Sequence, residues 1–397
     1  MLGLNLNSKA TKPHPGFLPK KAAAPKAKSP LFPTQNGEPK DTVSSGSLFP
    51  MESSRALEAK SLLPNLALDS SPEPSVSTSP KSENLPATPK LSLDNLNAAQ
   101  TAAMSALPAT ASAALKEVWG VLEGFQESQT QLLGLLADGT LGRSEQDSTV
   151  SERLHSLSSK DRASGFDPRN LTIETIALLA KPEKSVYQGA DRLSCGAANM
   201  ELQLTESPAL LTRIVDDLSS PDGISKVGKD AKLHRLSNVE EWDGTGRNSV
   251  DRLLQGALMN FAGEAKGAYD PLSDKFANGA QGLKVTEIAQ ASATLEGQDY
   301  AVLVHDGETA KEVQRVLKSL PKDESIQLGV SWGNEDHIVT LLERDGDMAN
   351  YFDSINHENE RMPLADLLFK TQVAIVPAKY LGDINVPDDA LYTFSPE

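Results

Sequence analysis

The spacing of apolar residues changes partway along this chain, and that change limits its fold more than any other feature. Up to about residue 261 apolar positions recur at the helical interval; from Tyr300 onward they alternate. After Asn248, a good N-cap, Val250, Leu253, Leu254, Ala257, Leu258 and Phe261 line one side of a helix. Leu115, Val118, Trp119, Leu122, Phe125, Leu132, Leu133 and Leu136 predict a helix over 112–137, stopped by Asp138-Gly139. Ser207-Pro208 starts another, with Leu211, Ile214, Val215 and Leu218 on one face. Shorter helices are predicted at 172–180 and from Cys195 to about 204. Beyond them, 300–305 is a strand and 308–319 a helix. Ile326, Leu328, Val330 and Trp332 alternate, and 337–344 with 348–354 form a hairpin at Asp345-Gly346. A last strand is predicted at 373–376. Helices first and an antiparallel sheet last make the expected fold class α+β.

Residues 1–95 follow neither pattern. Ser29-Pro30, Ser71-Pro72, Ser79-Pro80 and Thr88-Pro89 punctuate a Pro-, Ser-, Lys- and Asn-rich stretch that buries too little apolar surface to offset its ordering entropy. The expected organisation is a disordered tail at 1–95, a helical segment at 96–140 and a polar, cleavable linker at 141–165. The folded domain is expected at 166–397. The apolar stripe at 112–137 either packs on that domain or receives a protein partner. Six lysines and no acid lie in residues 1–28, yet the whole chain carries a formal charge of -16. An acidic body argues against nucleic acid as the main partner. No apolar run approaches the roughly 20 residues that span a bilayer, so no membrane span is expected. The N-terminus lacks a secretory apolar core, which predicts a cytoplasmic protein or one secreted without a signal peptide.

Chemistry points to Cys195, the only cysteine. A thiol attacks acyl groups as thiolate, and a helix N-terminus or a nearby imidazolium favours that form. Cys195 stands where a helix begins, and Gly196-Ala197-Ala198 leave room for a substrate backbone. Seven positions upstream, the amide of Gln188 can join the Cys195 N–H in an oxyanion hole. The base must be a histidine. His14 lies in the tail, His155 in the linker, and His234 and His357 in polar loops. His305 ends a strand and competes with His337. His337 is favoured because it opens a strand whose hairpin partner ends in Asp353, an orienting carboxylate. Asn350 and Asn356 are alternative orienters.

Strand parity tests this choice. His337 and Asp353 sum to 690, so they share a face only in an even register. A two-residue turn at Asp345-Gly346 gives paired sums of 691 and separates them. An odd loop or a bulge unites them. No His/Cys spacing suits a metal, and Asp243-Gly244-Thr245-Gly246 lacks the lysine of a phosphate loop, so no cofactor is expected.

In order, Gln188, then Ser194-Cys195-Gly196-Ala197-Ala198, Asp336-His337-Ile338-Val339 and Tyr351-Phe352-Asp353-Ser354 resemble the pattern of papain-like cysteine peptidases. The chain is most similar to the branch that includes bacteriocin leader-processing peptidases, over residues 180–380. The resemblance implies a helical half bearing Cys195 and a β half bearing His337, with the cleft between them. It implies Gln188 in the oxyanion hole, Cys195 as nucleophile, His337 as base and then acid, and Asp353 as orienter. Family members often have proline where this chain has Ser354. The expected function is a thiol hydrolase acting on protein or peptide substrates, in keeping with a bacterial secreted effector. Glutamine deamidases and transglutaminases use a similar triad and form the alternative, beside a non-catalytic binding protein using the 112–137 helix.

Overall fold

The computed structural model describes residues 91–396 apart from 241, 308, 323, 333–334, 357 and 388–389. The expected tail lies outside the described residues as far as residue 90. The first elements are α1 (Ala98–Ala106), α2 (Ala109–Val121), α3 (Gln126–Ala137), β1 (Ser144–Glu145), β2 (Ser148–Thr149), α4 (Val150–Ser159), α5 (Pro168–Ala180) and α6 (Pro182–Ser185). Next come α7 (Cys195–Leu204), α8 (Pro208–Ser219), β3 (Ile224–Val227), β4 (Ala231–His234), α9 (Ser249–Ala262), β5 (Tyr269–Asp270), β6 (Lys275–Phe276) and α10 (Val285–Glu296). The chain closes with β7 (Tyr300–Val304), α11 (Ala310–Ser319), β8 (Ile326–Trp332), β9 (Glu335–Asp345), β10 (Met348–Asp353), β11 (Glu358–Pro363), α12 (Leu364–Lys370), β12 (Thr371–Pro377) and β13 (Leu391–Phe394). This is an α+β arrangement, helices preceding an antiparallel sheet.

Helix starts follow local chemistry. Asn248 and Asp251 form a reciprocal capping box at α9, as Thr149 and Glu152 do at α4. Asp167 caps α5, with Pro168 at its first position. The single helix expected over 112–137 is two, because Gly124 sits at φ +91°, outside the helical range. Its apolar stripe, Leu115, Val118, Leu122, Leu132 and Leu136, is buried in the main core. Trp119 and Leu133 pack against that core while staying partly exposed, and Phe125 is 40% exposed, so a helix-mediated partner at 112–137 would meet only this edge of the stripe.

The stretch at 141–165, expected as a linker, also folds. Its hairpin and α4 bring Val150, Leu154 and Leu157 into the same core, all fully buried. Their spacing of four and three is helical, but the surrounding Ser, Arg and Asp conceal it. The helical segment, this stretch and helices α5, α7, α8, α9 and α10 therefore share one hydrophobic core.

Among the described residues, the main sheet has strand order β11-β10-β9-β8-β12-β7-β13, with every neighbouring pair antiparallel. Alternation divides its side chains between two cores. Tyr300, Val302, Ile338, Phe352, Val373 and Ile375 meet the helical core. Leu328, Val330, Val339, Leu341, Tyr351 and Val376 pack with Val313, Val316 and Leu317 of α11 and with Leu367 and Leu368 of α12. β8, expected to be half-buried, is buried on both faces from Ile326 to Val330. No helix among the described residues is long and apolar enough to cross a membrane.

Candidate active site

Cys195 is the first residue of α7, and Ser194 is its N-cap. From Gly196 to Leu204 every residue of this helix is buried, while Cys195 stays partly exposed. The buried helix thus delivers one thiol to the surface at its positive end. Its small residues serve packing rather than substrate access: a Cβ at Gly196 would stand 2.7 Å from Cδ1 of Ile288 on α10. Ala197 and Ala198 are fully buried. That corrects the expected role of the Gly-Ala-Ala run.

β9 and β10 supply the partners. The turn between them holds two residues, Gly346-Asp347, one position later than predicted, and is closed by the pair Asp345↔Met348. That register has odd sums, which would separate His337 from Asp353. A bulge then intervenes: Asn350 pairs with Glu343 but Tyr351 with Leu341, so Leu342 is the extra residue. Beyond it the sums are 692, and His337 and Asp353 lie on one face. His337 Nε2 is 3.0 Å from Asp353 Oδ1, with both groups buried. The other oxygen, Oδ2, accepts from Asn356, and Oδ1 also accepts the Ile355 N–H. With Nε2 on Asp353, Nδ1 is the ring nitrogen left to face Cys195, whose thiolate the imidazole favours. Trp332 lies against the imidazole, its ring centroid 5.8 Å from that of His337 and 6.1 Å from that of Tyr351.

β10 pairs with β9 only as far as Phe352↔Thr340. The main chain of Ile338 lies past that limit, and α7 takes the place of the missing strand. The Ile338 N–H reaches the Cys195 sulfur, and its carbonyl accepts from the Asn199 amide at 2.9 Å. The helix that carries Cys195 is therefore bonded to the strand that carries His337.

Gln188 is buried beside them. Its main-chain N–H donates to Ser354 O at 3.1 Å, and its Oε1 accepts the Ser354 hydroxyl at 2.7 Å. Its Nε2 donates to the Arg192 carbonyl at 2.8 Å. Proline at 354 would lack the hydroxyl that holds Gln188. His305, the competing histidine, is bound by Nδ1 to Thr371 O at 2.6 Å, and its Nε2 is buried. His155 lies on α4 and His234 on β4, while His14 and His357 fall outside the described residues. Asn350 bonds Glu343 and Asn356 supports Asp353, so neither replaces Asp353 at the imidazole.

The electrostatics match the geometry. Burial opposes the Cys195 thiolate, but the hydrogen bond and charge of His337 outweigh it, aided by the Ile338 and Gly196 N–H groups. The thiol is held below its ordinary value. Burial likewise opposes the His337 cation, yet Asp353 and Cys195 push its pKa up to about 10. Asp353 is held below the usual carboxylate range, because its bonds to His337 and to the 355–356 turn exceed the cost of burial. These directions favour a thiolate–imidazolium pair at neutral pH.

Sequence reasoning missed Asn199, Ser354 and Trp332. Asn199 left the clearest trace, an amide four residues after Cys195 inside an otherwise mostly apolar helix. Among the described residues no His/Cys/Asp/Glu group could hold a metal ion. No family model, no curated protein and no solved structure matches this chain.

Proposed function

We propose that this protein is a thiol hydrolase of the papain-like kind that cleaves peptide bonds with Cys195, His337 and Asp353. The observation that carries the proposal is the convergence of three elements on one spot. A helix start supplies the thiol, a strand supplies the imidazole, and a bulged hairpin supplies the carboxylate. The Cys195 thiolate attacks the scissile carbonyl, and its oxygen takes the negative charge beside the Cys195 N–H and the free Gln188 N–H. As the C–N bond breaks, the imidazolium gives its proton to the leaving amine. Neutral His337 then takes a proton from water, which attacks the thioester. The acid leaves, the C–S bond breaks to restore the thiolate, and His337 keeps that proton as the imidazolium. Asp353 keeps Nδ1 aimed at the sulfur throughout and stabilises the imidazolium. The substrate is a protein or peptide.

Alkylation by iodoacetamide from pH 5 to 10 tests the nucleophile. Cys195 reacts well below pH 8, and His337→Ala lowers the rate at pH 6 by about tenfold or more, since each unit of thiol pKa is tenfold in thiolate. Ordinary thiol behaviour in both proteins rejects the proposal. Mass spectra of a peptide library incubated with the protein then identify the reaction. Chain cleavage supports hydrolysis, whereas a mass change on glutamine in intact chains assigns the site to deamidation or transfer instead.

A further inference from the structure

A polar seam runs along α7 where it meets the sheet. Cys195, Asn199 and Gln203 are four residues apart and so share one helix face. Asn199 is fully buried, and its amide is fully used. Nδ2 donates to Cys195 O at 2.8 Å and to Ile338 O at 2.9 Å, while Oδ1 accepts the Thr340 hydroxyl at 2.6 Å. One turn further on, Gln203 accepts from the Gln327 amide at 2.8 Å and donates to the Tyr300 hydroxyl at 2.5 Å. The seam therefore touches β9, β8 and β7 in turn.

Directional bonds matter here because the hydrophobic effect has no preferred direction. The close packing of Gly196, Ala197 and Ala198 sets how near α7 approaches its neighbours, and the seam bonds add a fixed register on the sheet. Breaking a seam bond leaves a buried polar group unsatisfied. Asparagine suits this place in particular: its two N–H bonds reach one carbonyl on each element, and its oxygen faces a hydroxyl on the strand. Leucine has similar bulk and none of these bonds, and aspartate lacks both donors.

We infer that Asn199 is a positioning residue, tying the first turn of α7 to β9 so that the Cys195 sulfur is held against His337 and the Ile338 N–H. This rests on the thiol-nucleophile reading above. Asn199 touches no reacting atom and acts through the placement of Cys195.

The test compares alkylation of Cys195 in the full chain and in Asn199→Leu, Thr340→Val and Thr340→Ser, with thermal unfolding measured alongside. The Asn199→Leu rate is expected to fall about tenfold at pH 6 and to match wild type at pH 10, where every thiol is ionised. A purely structural role would lower the unfolding temperature and leave the pH dependence unmoved. Folded Asn199→Leu with the wild-type rate at pH 6 overturns the inference. Should that variant not fold, Thr340→Val decides. A loss of a few-fold at pH 6, restored in Thr340→Ser, supports the inference, and no loss overturns it. Ordinary thiol behaviour in wild type removes the nucleophile reading and this inference together. An activated wild-type thiol with unchanged variants removes this inference alone.

Discussion

The helical core and the sheet each bury carboxyl groups within reach of the site, and the two sets titrate in opposite directions. Asp353, on the sheet side, meets an imidazole and two N–H donors and is held below the usual range despite its burial. Glu201 of α7 and Asp251 of α9 meet each other. Burial pushes both up, Glu201 to about 7, and Asp251 rises further because the Glu201 charge faces it. The nearby Arg247 does not rescue them, since its guanidinium is ion-paired with Asp243 in the interior. Two adjacent buried carboxyls cannot both ionise, so this pair shares a proton. All three carboxyls are closed to solvent, the helical pair more deeply, and only Asp353 has a cation beside it to offset the cost of burial. A carboxylate matched to a cation stays charged and can orient a base, whereas one matched to its own kind becomes a store for a proton.

The largest effect should come from removing the matched carboxylate. Asp353→Ala is expected to lower peptide turnover by about 100-fold or more, the range lost with general acid–base function. The profile should also change. With His337 raised to about 10, wild-type turnover is expected to extend to alkaline pH. Without Asp353 the alkaline limb moves down toward the ordinary histidine range near 6.5. A folding term follows the same sign. The raised His337 pKa stabilises the folded state fully below pH 6.5, and that contribution fades as pH rises through 10. An unchanged pH–rate profile in Asp353→Ala would remove the residue from the mechanism.

The carboxyl pair predicts a smaller effect that appears in stability rather than turnover. Folded Glu201 holds a proton between its usual value of 4.5 and about 7, where the unfolded chain releases it. Stability should therefore fall as pH rises across that window, by up to about 1.4 kcal/mol per pH unit for one proton. Asp353 has the opposite sign, its stabilisation being lost only as pH falls through a value below 3.8. In Asp251→Asn the proton that Asp251 itself retains is lost, so the decline between pH 4.5 and 7 should become shallower, while burial keeps Glu201 raised. Urea unfolding at several pH values reads this directly. A slope equal to that of wild type would show that the pair does not share a proton.

The difference between the two regions also decides how much of each was legible. Cys195 and Gln188 can be paired from sequence because they sit on one short stretch, and the hairpin partners follow from strand alternation. The parity of His337 and Asp353 demanded an odd loop or a bulge, but nothing in the sequence marked Leu342 as the extra residue. A bulge is set by how the two strands meet the rest of the sheet, not by local propensity. The carboxyl pair was equally hidden, since Glu201 and Asp251 are 50 positions apart and share no pattern. α10 was missed because Val285, Ile288, Ala289, Ser292 and Ala293 mix small polar and small apolar residues, which weakens the helical contrast. Contacts within an element can be read from spacing; contacts between elements must be seen.

Ser354 offers the finest cut between orientation of the imidazole and orientation of the oxyanion donor. It follows Asp353 directly but does not touch His337; its hydroxyl and carbonyl instead hold the side chain and main chain of Gln188. Ser354→Ala removes the hydroxyl alone and keeps the carbonyl that receives the Gln188 N–H. The cost should be about 1 kcal/mol of stability, the usual worth of one buried hydrogen bond. Turnover should fall by a few-fold while the alkaline limb of the pH–rate profile stays near 10, because the His337–Asp353 bond is intact. A shifted limb would mean that Ser354 acts through Asp353. An unshifted limb with lower turnover assigns it to Gln188, and the two residues, adjacent in sequence, would then serve opposite sides of the same reaction.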